Sequence, residues 1–396
     1  MSLTRLAVAA VLLAAPARAQ IDPTPRSLLQ AGLNRPIDGR GPLAGYVYYY
    51  LNSPLRASRH MLRVAVAPVY VDSELGLRRA LGPSSDLGIG LAGGGYNDSY
   101  AEMRAGRYLR GESFTGHGVK MSAAVYHDFA CPGPAPLAGV LRGEARRSHY
   151  IKDKDTEPGF KLPPDQTEFG ARAGLRWGGM EPLMLPKAAA EISVWYEGRF
   201  RTRAGPYGYA HDRIIEPHSH QFWSRVLAVY NLPRAQHRFI AQALGGTSRR
   251  ADRFSAFRLG GVLPLAAEFP LSIPGYYYQE ISAESFGILG GTYLLPISAD
   301  RSTWVASLTG ASAAVDYAPG VGQGTKSHTG VGAGINYTSE SWQALAEYGY
   351  GINAARGHGN GSHTIGLRVQ LDFRKTTAPM QLPRDVDRAI DKLLKK

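Results

Sequence analysis

The chain has 396 residues and one cysteine, Cys131, so no internal disulfide can form. Packing and hydrogen bonding must hold the fold together. Charged residues are sparse, at 19%. Beyond Ala19 no run of 18 or more apolar residues occurs, and no transmembrane helix is expected. Catalytic signatures are missing as well. There is no Gly-x-Ser-x-Gly nucleophile elbow. Gly88-Ile89-Gly90-Leu91-Ala92-Gly93 has the letters of a dinucleotide fingerprint, but strand-like alternation runs through it and no strand–turn–helix unit surrounds it. His218-Ser219-His220 offers two imidazoles, too few for a metal site, and reads as a rim loop before Phe222. Nothing marks Ser219 or Ser224 as activated by a base. The expectation is no enzyme, no cofactor and no metal, with an outer-membrane hydrolase ranked last among the functional readings.

Glycine and tyrosine are abundant, with 47 and 22 residues. The N-terminus reads as an export signal. Arg5 supplies a positive n-region, Leu6 to Ala15 an apolar h-region, and Ala17-Arg18-Ala19 a small-x-small cleavage site. The formal charge is +13, or +11 once Arg5 and Arg18 are removed. An exported basic chain is not expected to meet nucleic acid. Outer-membrane lipid and lipopolysaccharide phosphates, or a basic lumen lining, are the expected destinations of that charge.

From about Gly45 onward the chain alternates with period two in segments of ten or more residues, separated by loops rich in Gly, Pro, Asp and Ser. In the last segment Ile365, Leu367, Val369, Leu371 and Phe373 share one face, and Gly366, Arg368, Gln370 and Asp372 share the other. The pattern recurs over Leu62–Tyr70, Phe169–Trp177, Ala190–Tyr196 and Trp342–Tyr350, with aromatics near the segment ends. This is the signature of an all-β transmembrane antiparallel β-barrel, here of 14–16 strands, two of the sixteen falling in the irregular stretch from Ser248 to Gln279. The segments are long for a soluble sandwich, and no blade-length repeat is visible. The organisation expected is a signal peptide over 1–19, an extended periplasmic lead-in over 20–42, the barrel over 43–373, and a basic tail over 374–396, read either as a helix starting at Pro383 or as a frayed end.

The polar faces carry both charge signs, with arginine in excess. Arg63, Arg142, Arg146, Arg172, Arg176, Arg225, Arg238 and Arg368 are expected to line the lumen. Such a lining suits either a self-satisfied ion-pair network or a lumen that favours anions.

Phe257-Arg258-Leu259-Gly260-Gly261, the segment Glu284 to Ile297, and Gly330-Val331-Gly332-Ala333-Gly334-Ile335-Asn336-Tyr337 with Glu347-Tyr348-Gly349-Tyr350-Gly351 together resemble the C-terminal third of BamA/TamA-like surface-antigen barrels. Leu259 stands between Arg258 and Gly260, where that family has Gly directly after Arg, and Leu308 stands where it has an Asp. The resemblance implies a protein assembly or translocation barrel in the outer membrane, with client polypeptides or assembly-machinery proteins as partners. It also implies that the loop carrying Arg258, Gly260 and Gly261 tucks into the lumen. Once inside, Arg258 is expected to meet lumen carboxylates such as Glu191, Glu197 or Glu347. The alternative reading is a passive channel for small, anionic solutes.

Overall fold

A computed structural model describes residues 25–42, 44–54, 60–131, 135–179, 189–232, 237–261, 269–300, 303–357 and 359–373. Residues 1–19 and 374–396, read above as signal peptide and tail, lie outside them.

Sixteen strands form the wall. They are β1 (Arg26–Pro36), β2 (Ala44–Pro54), β3 (His60–Ala67), β4 (Tyr70–Leu77), β5 (Ser85–Gly94), β6 (Phe114–Phe129), β7 (Leu137–Lys152), β8 (Gln166–Gly179), β9 (Ala189–Arg201), β10 (His218–Asn231), β11 (Arg238–Arg249), β12 (Ile281–Pro296), β13 (Trp304–Tyr317), β14 (Ser327–Thr338), β15 (Trp342–Arg356) and β16 (Gly359–Asp372). Each pairs antiparallel with its sequence neighbours. The sheet closes where β1 meets β16, from Leu28↔Asp372 to Pro36↔Thr364. Closure satisfies the backbone groups that an open edge would leave bare in lipid. Among the described residues there is no α-helix.

Alternation decides which face each residue takes. Ile192, Val194, Phe169, Leu175, Leu367 and Val369 all point outward and are exposed. Their inward neighbours include Glu191, Ser193, Glu168 and Gln370, all buried. An apolar exterior around a polar interior inverts the usual soluble pattern and fits a wall solvated by lipid. Phe129, Trp177, Tyr230, Phe239, Trp304 and Trp342 ring the end at which β1 begins, where an interfacial girdle belongs. Leu367→Arg, midway along β16, should therefore cost assembly about 2–4 kcal/mol. The folding midpoint in lipid vesicles measures it, and a midpoint equal to that of Leu367→Val would reverse the facing assignment.

Two expectations change. The lead-in is not separate from the barrel, because Arg26–Pro36 is its first strand. Gln30 turns inward, donates to Gln370 Oε1 at 3.0 Å, and accepts from the Tyr46 and Tyr48 hydroxyls, so this polar residue is satisfied within the wall. The alternating run from Leu62 to Tyr70 is also two strands. It breaks at Pro68 and Val69 into a tight hairpin, Ala67↔Tyr70 being the last pair. Pro68 has no N–H to give a ladder.

The two ends of the barrel differ. The start of β1, the end of β16 and the turns after the even-numbered strands β2 to β14 lie at one end. At the other lie 95–113, 153–165, 202–217, 250–280 and 318–326. Small antiparallel ladders stiffen two of these loops, at Met103–Arg104 with Arg107–Tyr108 and at Gly205–Tyr207 with Arg213–Ile215.

Candidate functional site

The described parts of the long loop 250–280, residues 250–261 and 269–280, turn into the barrel. Ser248 and Arg249 end β11, and among the described residues from Arg250 to Gln279 no further wall strand appears; Phe257–Leu259 pairs with the first residues of β12. Within the loop, Gly260 N donates to Leu271 O, and Ile273 N donates back to Gly260 O. Gly260 has φ +128, a conformation that glycine adopts without strain. Leu259 and Ile273 are fully buried, in a core that also holds Phe257, Tyr276, Ile281, Phe286 and Val315.

The loop crosses the lumen. Phe269 meets Trp195 halfway along β9 and Trp223 on β10, at ring-centroid distances of 5.1 and 5.9 Å. Tyr277 donates to Asp38 O at 2.6 Å, just beyond β1. In a sixteen-strand ring, β9 and β1 stand opposite. Strands about 4.8 Å apart and tilted about 40° give a diameter of roughly 30 Å. The chain from Phe269 to Tyr277 turns at Ile273–Tyr276, where Tyr276 N donates to Ile273 O at 3.4 Å, so the two rings supply part of the span at either end.

The crossing segment lies directly on the wall. Gly330 pairs with Gly351, and Gly332 with Gly349, making a bare square on β14 and β15. A Cβ on Gly330 would come within 2.0 Å of Pro274 O, and one on Gly349 within 2.5 Å of Gly275 N. Tyr276 then donates to Asn353 Oδ1 at 3.0 Å and contacts His328 Nδ1 at 3.2 Å. Beside it the buried pair Arg356–Glu280 closes at 2.7 Å, and the Arg356 guanidinium covers the Tyr277 ring at 3.7 Å. Glu280 also accepts the Tyr277 N–H at 2.7 Å.

A second core sits higher, among the loops, where Tyr100, Phe114, Tyr150, Phe160, Tyr207 and Ile215 pack with Phe254. Charges surround it. Glu102, fully buried, meets Arg253 at 2.9 Å, Arg104 at 3.4 Å and Arg213 at 3.9 Å. Arg201 bridges Glu168 at 2.8 Å and Asp252 at 2.5 Å. Asp252 Oδ1 in turn accepts the N–H groups of Phe254 and Ser255, which fixes the loop's entry into the lumen.

Arg258 does not meet Glu191, Glu197 or Glu347. It donates to Ser282 Oγ at 2.9 Å, Ala101 O at 3.0 Å and Tyr100 Oη at 3.3 Å, and sits 5.1 Å from the Tyr100 ring centroid. Those carboxylates are engaged nearer their own strands. Glu191 takes Arg225 bidentately at 2.7 Å and Arg176 at 3.6 Å. Glu197 takes Arg199 at 2.6 Å, and Glu347 takes Arg368 at 2.5 Å. Neighbouring cations win because Arg258 lies high in the barrel, at the level of the first residues of β12. The loop arginine that holds a buried carboxylate is Arg253. Arg253→Ala should destabilise the barrel by about 1–3 kcal/mol, since Arg104 and Arg213 still face Glu102. Arg258→Ala should cost less. Thermal midpoints of heat-modifiable migration compare the two, and equal shifts would refute the assignment.

The rest of the expected lining faces inward. Arg63 pairs with Asp72 at 2.5 Å, and Arg142 with Glu74 at 2.7 Å. Arg146 engages Asp98 through two nitrogens. Arg172 sits against Trp195, Trp223 and Phe269, with ring centroids 4.6 to 5.6 Å from its guanidinium carbon. Arg238 is the first residue of β11, on the face opposite Phe239. Gly260 and Gly261 lie in the loop, their N–H groups bonded to Leu271 O and Tyr277 O. His218 and His220 begin β10 instead of forming a rim loop. Both imidazoles point outward, toward Arg250 and the Tyr196 hydroxyl. Sequence reasoning missed Glu102, Arg201, Arg253, Glu280 and Arg356. The local sign of Glu102, Arg253 and Glu280 was charge inside loops, while Arg201 and Arg356 end strands β9 and β15.

No family model matches the chain, and no curated protein matches it. Solved structures do. CdiB from Escherichia coli superposes with a TM-score of 0.60 at 12% identity, over 89% of this chain and 63% of that one. CdiB from Acinetobacter baumannii gives 0.57 at 14%, over 88% and 60%. BamA from Haemophilus ducreyi, lacking POTRA domains 1–3, gives 0.54 at 10%, over 87% and 70%. The chain thus spans less than two thirds of either CdiB chain. At these identities the likeness is one of fold, and that fold is the sixteen-strand outer-membrane β-barrel.

Proposed function

We propose that the protein is an outer-membrane barrel that inserts or translocates polypeptides, and that its own loop 250–280 holds it shut at rest. The loop's course carries this reading: it crosses the lumen and rests on bare backbone at Gly330 and Gly349. A passive channel for anions would leave cationic groups facing open water. Here Arg63, Arg142, Arg225 and Arg368 are each tied to a carboxylate within 2.7 Å. Two apolar cores also fill the loop-bearing end. Lipid would face the wall and a client polypeptide the lumen. Depleting the protein from its host, followed by quantitative comparison of outer-membrane and secreted proteins, tests the role. Selective loss of one or a few exported polypeptides is expected. An unchanged set of polypeptides, with altered uptake of small anions, would overturn it in favour of the channel.

A further inference from the structure

Between the loop cap and the wall lies a chamber of about 190 Å³. It has room for roughly half a dozen waters. Arg146, Arg199, Arg253 and Arg258 line it, against two carboxylates, Asp98 and Glu168. Both carboxylates are already engaged. Asp98 accepts from Arg146 and, at 2.5 Å, from Ser148 Oγ, while Glu168 accepts from Arg201 at 2.8 Å. Arg199 and Arg253 have their own partners outside the chamber, Glu197 and Glu102.

Arg258 is the exception. Every partner it has is neutral. The phenols beside it do not supply a charge. Burial pushes the Tyr100 hydroxyl up to about 12, against the pull of Arg258 and Arg253, and burial raises Tyr278 as well. Both stay protonated at neutral pH. A half-buried guanidinium thus faces a polar chamber with no carboxylate of its own among the described residues. A cation withdrawn from water without a counter-charge is costly, and a mobile anion relieves that cost.

We propose that this chamber binds a small phosphate-class oxyanion on Arg258. A planar guanidinium matches such an ion's oxygens better than it matches a halide. The volume suits inorganic phosphate or sulfate better than a peptide segment. The bound ion would tie the loop 250–280, through Arg258, Arg253 and Phe254, to 97–101 and to β7 and β8, all of which contribute to the chamber wall.

The test is calorimetric titration of inorganic phosphate into the folded, detergent-solubilised protein in a low-salt buffer free of oxyanions. One site per barrel is expected, and Arg258→Gln should weaken it at least about tenfold. Lys326→Gln, which removes an exposed cation paired with Asp316, should leave it unchanged. Arg258→Lys keeps the charge and should keep part of the affinity, which covers the case in which Arg258→Gln does not fold. Glucose 6-phosphate in place of phosphate separates a confined chamber from an exposed surface site, since the bulkier ester should bind poorly. No binding to the wild type would overturn the proposal, as would equal binding by Arg258→Gln or equal affinity for the ester. None of these readings depends on conductance or client traffic.

Discussion

Replacing Gly330 and Gly349 together with valine should unseat the lumen loop and turn a weakly conducting barrel into an open one. The reason is steric. Each new Cβ would enter space held by loop backbone, at 2.0 Å from Pro274 O and 2.5 Å from Gly275 N. Backbone cannot step aside as a flexible side-chain tip can. Gly275 cannot relax easily either, because its φ is +79 and it lies against Tyr350 and Gly351. The wall itself should survive, since valine suits a strand. Overpacking of this kind costs about 1–3 kcal/mol when the seat must distort. Lifting the loop avoids that distortion, so the pore should respond more than the barrel's stability does. Gly310→Val is the control, because a Cβ there meets nothing within 4 Å. Planar-bilayer conductance should rise for the double variant and stay at the wild-type level for the control. Identical conductance from all three would mean that the loop does not obstruct the lumen.

The second large effect is expected at Arg356. Its pairing with Glu280 is bidentate, at 2.7 and 3.0 Å, and both side chains are almost wholly buried. Arg356→Leu would leave Glu280 charged and without its cation, a loss of about 3–5 kcal/mol. Removing both charges with Glu280→Leu and Arg356→Leu should restore much of that loss, because no ion is then stranded. Urea midpoints for the two single variants and the double variant measure the coupling. If the double variant loses as much as the two single variants combined, the pair is not a unit. Loop release would follow the Arg356 change too, since Arg356 also covers Tyr277.

The sequence exposed some levels of this organisation and hid others. Alternation at Ile365, Leu367 and Val369, or at Ile192 and Val194, is a local property of the strand, and the outward and inward faces could be read from it directly. The first strand escaped because Ser27-Leu28-Leu29-Gln30-Ala31-Gly32 has no clean period and prolines flank it. Its identity depends on Gln30 meeting Gln370, which lies 340 residues away. The hairpin at Pro68 escaped because alternation continues through a tight turn. The loop's direction came from resemblance, but its partners did not follow. Nothing near Arg253 announces Glu102, and nothing near Glu280 announces Arg356. Those pairs exist only after the wall has brought distant loops to one end. The glycines at 330, 332, 349 and 351 were visible as a pattern. Their reason, contact with backbone from another part of the chain, was not.

The seat of the loop has a consequence for the order of assembly. In the chain, 250–280 comes before β12, yet it rests on β14 and β15 and is fastened to Asp38, 239 residues from Tyr277. Its binding surface does not exist until the last strands are laid down and β16 has found β1. Contacts of such long sequence separation form late. A barrel still under construction is therefore an unplugged trough, and the loop can come to rest only once the wall is whole. Occupancy of the glycine seat would then mark completion, and a protease site placed in the loop would be cut in unfinished barrels and spared in finished ones.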